Sequence, residues 1–139
     1  MNKPNPDAIR SQNARLLLKE LQGQFPVFRD SLPLMIGIDK ELLARLPDID
    51  RRDLRIALGI HTHSLRYLKA ISKGTQRHNL DGHGEEEITA THRNHASELL
   101  RERLARQAEQ RKAQREAEVL ARQRAQKLDQ LVEKFGRQR

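Results

Sequence analysis

The chain has 139 residues, with 27 lysines and arginines against 19 acids, a formal net charge of +8, no cysteine and no tryptophan. The lack of cysteine excludes a disulfide framework, thiol catalysis and thiolate metal ligation, and it fits a reducing compartment. No apolar run approaches the ~20 residues that span a bilayer and no signal-type apolar region opens the chain, so a cytoplasmic protein without a membrane partner is expected. Three phenylalanines and one tyrosine leave a small core built mainly of leucine and isoleucine. An isoelectric point near 10.4 favours polyanionic partners, because neutralising phosphates releases condensed counterions.

Residues 1–10 hold Pro4 and Pro6 among polar residues and read as a loose segment. From Ser11, an N-cap type, Ala14, Leu17, Leu18 and Leu21 recur at helical spacing until Gly23 and Phe25-Pro26 stop the pattern. Phe25 and Phe28 are expected to close the core. Leu34-Met35-Ile36-Gly37-Ile38 is rich in β-formers and predicts an extended segment. Asp39 then caps a turn of helix that Pro47 ends.

Between Arg51 and Arg77 the charge is lopsided: Arg51, Arg52, Arg55, Arg66, Lys69, Lys73 and Arg77 stand against one acid, Asp53, and the stretch holds the only tyrosine, Tyr67. The rest of the first hundred residues has eight basic and twelve acidic side chains, so the excess is local. Asp50 predicts a helix cap, and Leu54, Ala57, Leu58 and His61 form the buried stripe of that helix. Arg51, Arg52 and Arg55 lie three and four apart on its outer side. Thr62 can cap a further helix with Leu65, Leu68 and Ile71 inward and Arg66, Lys69 and Lys73 outward, ending at Gly74. Two readings of this stretch stand side by side. It is either a solvated helix surface around a core tyrosine, or a phosphate-binding surface with a ring on which an unpaired base stacks.

Thr75 to Ile88 predicts a β-hairpin, with Arg77 and Leu80 extended, Asp81-Gly82 turning and Glu87-Ile88 returning. From about Ala90 to Phe135 there is no proline or glycine, which predicts one long helix. Its start carries Ala96, Leu99, Leu100 and Leu104. Ala105 to Glu118 offers only alanine as an apolar type, so this part is expected to project into water, with pairs such as Glu98–Arg101 and Glu102–Arg106 supporting it. Residues 101–139 hold twelve basic and six acidic side chains. Leu120, Leu128, Leu131, Val132 and Phe135 could seed a coiled coil, although Arg124 and Asp129 interrupt the seam; a basic helix following a duplex backbone fits as well.

Catalysis has little support. There is no nucleophile elbow, no phosphate-cradling glycine loop and no zinc-protease histidine pair, and Glu85 to Glu87 have no apparent base or metal partner. His61 and His63, two apart, point to different faces of a helix. His92 and His95, three apart, share a face, but two ligands without a third make a weak zinc signal. Exposed or partly buried neutral histidines are expected, with no metal and no cofactor.

Phe25-Pro26, Pro33 to Ile38, Leu54-Arg55-Ile56-Ala57-Leu58, Thr62 to Leu68 with Arg66-Tyr67-Leu68, Gly74 to Arg77 and Leu80-Asp81-Gly82, in this order, resemble the ProQ/FinO family of bacterial RNA chaperones over roughly residues 11 to 104. The resemblance implies an RNA-binding domain that recognises terminator-like hairpins with single-stranded U-rich 3′ ends, in small RNAs and mRNAs. It further implies stabilisation of those RNAs and promotion of duplexing or strand exchange. On the same ground Arg55, Tyr67 and Arg77 correspond to the family's RNA-contacting arginine, pocket tyrosine and hairpin arginine, and Arg51 to a basic position on the same helix. Thr62 and Ser64 fall where a helix N-terminus would meet the 3′-terminal phosphates, which agrees with the chemistry of free backbone N–H groups. Well-studied relatives carry lysine at the position of Met35 and arginine at that of Gly59, so fewer backbone contacts are expected here. The chain ends in the basic helix, without the extra C-terminal domain of longer relatives.

The expected fold is therefore α+β, mainly helical, with a small hairpin or mixed sheet and a long C-terminal basic helix. Residues 1–10 are a loose segment, 11–104 an RNA-binding domain and 105–139 a projecting helix. The expected function is that of a monomeric, non-enzymatic RNA-binding chaperone in post-transcriptional regulation. Its site comprises Arg51, Arg52, Arg55, Thr62, Ser64, Arg66, Tyr67, Lys69, Lys73 and Arg77. The rivals are a nonspecific DNA-binding or nucleoid-type protein and a helical adaptor.

Overall fold

Pro6 fixes the backbone for a helix start and Asn5 stands before it, its side-chain oxygen accepting the Asp7 N–H at 3.1 Å. This computed structural model describes residues 5–136, and α1 runs from Pro6 to Gln24. Of the segment expected to be loose, residues 1–4 lie outside the described residues, while 6–10 are already helical; the cap is Asn5, not Ser11. Ala14, Leu18 and Leu21 are buried along one side of α1. The chain then turns through α2 (Pro26–Arg29), which drives Val27 and Phe28 into the centre of the core, with Phe25 half-buried beside them.

The β-formers at 34–38 do not make a strand. Leu34 forms a single parallel bridge to His78, secured by Met35 N–H to the His78 carbonyl (2.9 Å) and His78 N–H to the Pro33 carbonyl (2.7 Å). The chain then reverses at Gly37, whose φ of 84° lies in the left-handed region that glycine tolerates without strain. α3 starts directly at Ile38 and ends at Arg45, so Asp39 sits in its first turn and Gly37 takes the capping position.

α4 (Arg51–Thr62) starts as expected, the Asp50 carboxylate accepting the N–H groups of Arg52 and Asp53, and Leu54, Ala57 and His61 are buried, but Leu58, expected on the same stripe, is only half-buried. Those two bonds hold the Asp50 carboxyl below the usual carboxylate range. α5 (Leu65–Lys73) is capped by Ser64, not Thr62, which is still the last residue of α4. β1 (Gln76–His78) and β2 (Gly84–Glu87) form the antiparallel hairpin, with Gly82 at φ 86° in its turn. Leu80, just past β1, plugs the core, and Arg45 clasps the Asp81 carboxylate through two bonds of 3.1 and 3.0 Å. The hairpin turn is thereby tied to the end of α3.

α1 packs across α4 and α2, around a core whose largest enclosed side chains are Phe28, Leu21, Leu42, Leu54, Leu80 and Val27. α6 runs from Ala90 to Gly136 and buries only Ala96. Internal contacts divide the chain after Leu100. No described side chain of the second unit is buried, and Leu128, Val132 and Phe135 each keep more than 60% of their surface in solvent. The pairs Glu98–Arg101 and Glu102–Arg106 are not among the ion pairs that close within 4.0 Å among the described residues. An unbroken run of strong helix formers supports this segment locally.

Candidate nucleic-acid interface

At 100° per residue, Arg51, Arg55, Leu58 and Thr62 fall on one stripe of α4, displaced by about a quarter-turn from the buried stripe of Leu54, Ala57 and His61. The stripe is ~16 Å long at 1.5 Å per residue. Its first part lines a concavity of about 490 Å³ between α3 and α4, where Lys40, Arg51 and Arg55, with the single acid Asp39, rim an apolar floor of Leu43, Leu54 and Leu58. Its end, Thr62, lines a second concavity of about 270 Å³ shared with Tyr67, Ile71, Arg77, His92 and Leu99. A single helix thus runs from a hollow rimmed by arginines, past Leu58, to the next. The acids at its start are held by Arg10, 3.6 Å from Asp50 and 3.5 Å from Asp53.

The second concavity is built on the main chain of Leu34. The Tyr67 hydroxyl accepts the Leu34 N–H at 3.1 Å, and Arg77 Nη1 donates to the Leu34 carbonyl at 3.0 Å. Arg77 Nη2 reaches His92 Nδ1 at 2.9 Å. Tyr67 is only 7% exposed, and its ring lies 5.4 Å from that of His61, which meets Phe28 at 5.1 Å. A ring so enclosed offers the concavity a margin and not a π-face, so base stacking on Tyr67 is ruled out in this conformation. Burial pushes its hydroxyl above the usual phenol range, opposed by the Leu34 N–H bond and the Arg77 charge.

Ser64 and Thr62 have different duties. The Ser64 hydroxyl accepts the Tyr67 N–H at 3.3 Å and donates to the His61 carbonyl at 2.7 Å, which completes the α5 cap. The Thr62 hydroxyl donates back to the Gly59 carbonyl at 3.4 Å. The N–H groups of the first α5 turn remain the anion-directed feature there.

Arg66, Lys69 and Lys73 are exposed and lie on the side of α5 opposite Tyr67 and Ile71. None of them lines the Tyr67 concavity; Lys73 instead borders a separate hollow with Pro33, Gly74 and His78. Arg52 stands about 90° round α4 from the Arg51–Arg55 stripe. The structure therefore gathers Thr62, Tyr67 and Arg77, aligns Arg51 and Arg55 with them, and leaves the other four cations on different faces.

Lys40, His63, His92 and His95 line the two concavities and were not among the expected site residues. Nothing local marks Lys40. The i, i+3 spacing of His92 and His95 puts both on one face of α6, and it carries no signal for an arginine partner. Among the described residues no cluster of three or more histidines, aspartates or glutamates could hold a metal ion. His61, expected on the buried stripe, is 2% exposed, more enclosed than an exposed or partly buried histidine. Burial, with Arg66 nearby, lowers its pKa, which favours the neutral ring.

Fold and surface together define a small helical domain with one hairpin and a helix stripe that begins with arginines and ends at a largely apolar concavity edged by Thr62, Arg77 and histidines. A family model described as the ProQ/FINO family matches residues 11–113, and the chain belongs to that family. The protein of Idiomarina loihiensis named RNA chaperone ProQ is 41% identical over 104 residues, covering 73% of this chain and 50% of its own length. Its namesake in Shewanella oneidensis is 38% identical over 115 residues, 78% of this chain and 53% of that protein. The chain spans about half the length of these relatives. Among solved structures, a FinO-like RNA chaperone from Neisseria meningitidis superposes with a TM-score of 0.58 at 30% identity, over 61% of this chain and 90% of that one. No helix among the described residues is long and apolar enough to cross a membrane.

Proposed function

We propose that this chain is a non-enzymatic, cytoplasmic RNA-binding protein that acts as an RNA chaperone on hairpins with single-stranded U-rich 3′ ends. The observation that carries this reading is the α4 stripe, Arg51 and Arg55 leading to Thr62 at the mouth of the Tyr67–Arg77 concavity. A cationic ridge follows the phosphates of a stem, and a hollow of about 270 Å³ receives the end of a strand. Residues 11–104 form the recognition unit, and the helix beyond adds phosphate contacts that are not selective. Small RNAs and mRNAs are the targets, held by a single copy of the chain, and duplexing or strand exchange is the outcome.

The test is competition. A labelled hairpin with a 3′ U-tail is bound to the full chain and displaced with unlabelled RNA of the same sequence, with an RNA lacking the tail, and with a DNA duplex of equal length. Displacement by the cognate RNA at much lower concentration than by either rival is the expected result. Equal displacement by the DNA duplex would replace this reading with nonspecific polyanion binding.

A further inference from the structure

Arg77 is the residue through which the hairpin reaches the concavity, and both its terminal nitrogens are already engaged. Nη1 donates to the Leu34 carbonyl at 3.0 Å and Nη2 to His92 Nδ1 at 2.9 Å. A guanidinium has donors only, so His92 Nδ1 must present a lone pair, and the proton of the neutral ring is on Nε2. His92 itself stands at the start of α6, where its N–H donates to Thr89 Oγ1 at 3.2 Å. The backbone of His92 is thus fixed at a helix start, and its imidazole holds the guanidinium from there. The Leu34 carbonyl fixes one edge of the fork and His92 the other, which sets the direction of the three N–H donors left over.

We propose that His92 is a positioning residue for RNA binding, acting as a hydrogen-bond acceptor that orients Arg77, rather than as a source of positive charge. This inference rests on the RNA-binding reading of the same concavity. The other titratable or charged groups that line it are His63 at the end of α4, Tyr67 on α5, Arg77 on β1 and His95 one turn along α6. Protonation of His63 or His95 only adds positive charge to an anion site. Protonation of His92 adds charge and also removes the lone pair, setting an imidazolium against the guanidinium.

The variants H92A, H92N and H92K separate acceptor from charge, because asparagine can present an oxygen near the place of Nδ1 while lysine supplies charge without a lone pair. The full chain is titrated with the tailed hairpin at fixed salt after circular dichroism confirms folding. H92A is expected to bind about three- to tenfold more weakly, and H92N within about twofold of the wild type, from the worth of one charge-assisted bond. H92K is expected to weaken binding. In an R77A background H92A should add nothing further. H92K binding as tightly as the wild type or tighter, or H92N as weak as H92A, overturns the positioning role while leaving the site intact. R77A binding as tightly as the wild type overturns the site itself, and the role of His92 with it.

Discussion

Tyr67 and Arg77 are joined through the two main-chain polar groups of one residue: the tyrosine hydroxyl accepts the Leu34 N–H at 3.1 Å, and the arginine donates to the Leu34 carbonyl at 3.0 Å. α5, the Leu34 bridge and the hairpin are therefore tied together beside the concavity. A change at either side chain disturbs the other.

Tyr67→Phe tests this coupling. The ring still fills its place against His61, but the buried Leu34 N–H loses its acceptor, which costs about 1–3 kcal/mol of stability. Urea unfolding should show the loss, and RNA affinity should fall because Leu34 no longer holds Arg77 in register. The fall should be smaller for RNA ending in a 3′-phosphate than for a free 3′-hydroxyl. Additive free energies for protein variant and RNA end would separate Tyr67 from the RNA end.

Gly59 lies inside α4 with open space around the position a Cβ would take. Gly59→Ala should raise stability by about 1 kcal/mol, the helix-interior cost of glycine. Gly59→Arg should do so less strongly, tighten RNA binding, and steepen the dependence of log K on log salt by about one, as one more phosphate contact requires. A salt slope equal to the wild type's would place this face of α4 away from the RNA.

Removal of residues 105–139 should leave the first unit folded, since its core is complete by Leu100. Titrations across a salt series should show a shallower slope, because fewer counterions are released, while the preference for a 3′ U-tail persists. Loss of that preference would assign recognition to the helix.

His61 sets a pH dependence of stability. Its folded pKa is lowered by burial, so the unfolded chain binds the proton at higher pH than the fold does. Stability is full above the ordinary histidine value of 6.5 and declines as pH falls below it towards the lowered folded value. His61→Phe keeps an aromatic ring between Phe28 and Tyr67 and removes an Nε2 that is buried without a partner. Urea midpoints at about pH 7.5 and 5.5 should differ less in that variant than in the wild type. An unchanged difference would assign the effect to the other histidines.

What the sequence determined by itself is what rests on local interactions. The stripes of α1, α4 and α5 repeat every three to four residues, Asp50 caps the N–H groups two and three positions on, Asp81-Gly82 turns the hairpin, and an unbroken run of helix formers makes α6. The basic excess at 51–77 and the place of Arg51 and Arg55 on one stripe were equally legible, since both ends of each relation lie on one helix. The tertiary structure alone decided the rest. The β-formers at 34–38 had no neighbouring strand beyond one bridge to His78, so Gly37 ended the extended segment and α3 began. The outward side of α5 with Arg66, Lys69 and Lys73 was legible from spacing, but that the helix rolls Tyr67 into the core and leaves Leu65 only half-buried depended on its packing. The Leu34–Arg77–His92 chain joins residues from three separate segments. A periodic pattern records which way a side chain faces its own helix axis; a contact between distant segments depends on the packing of everything between them, and no local spacing encodes it.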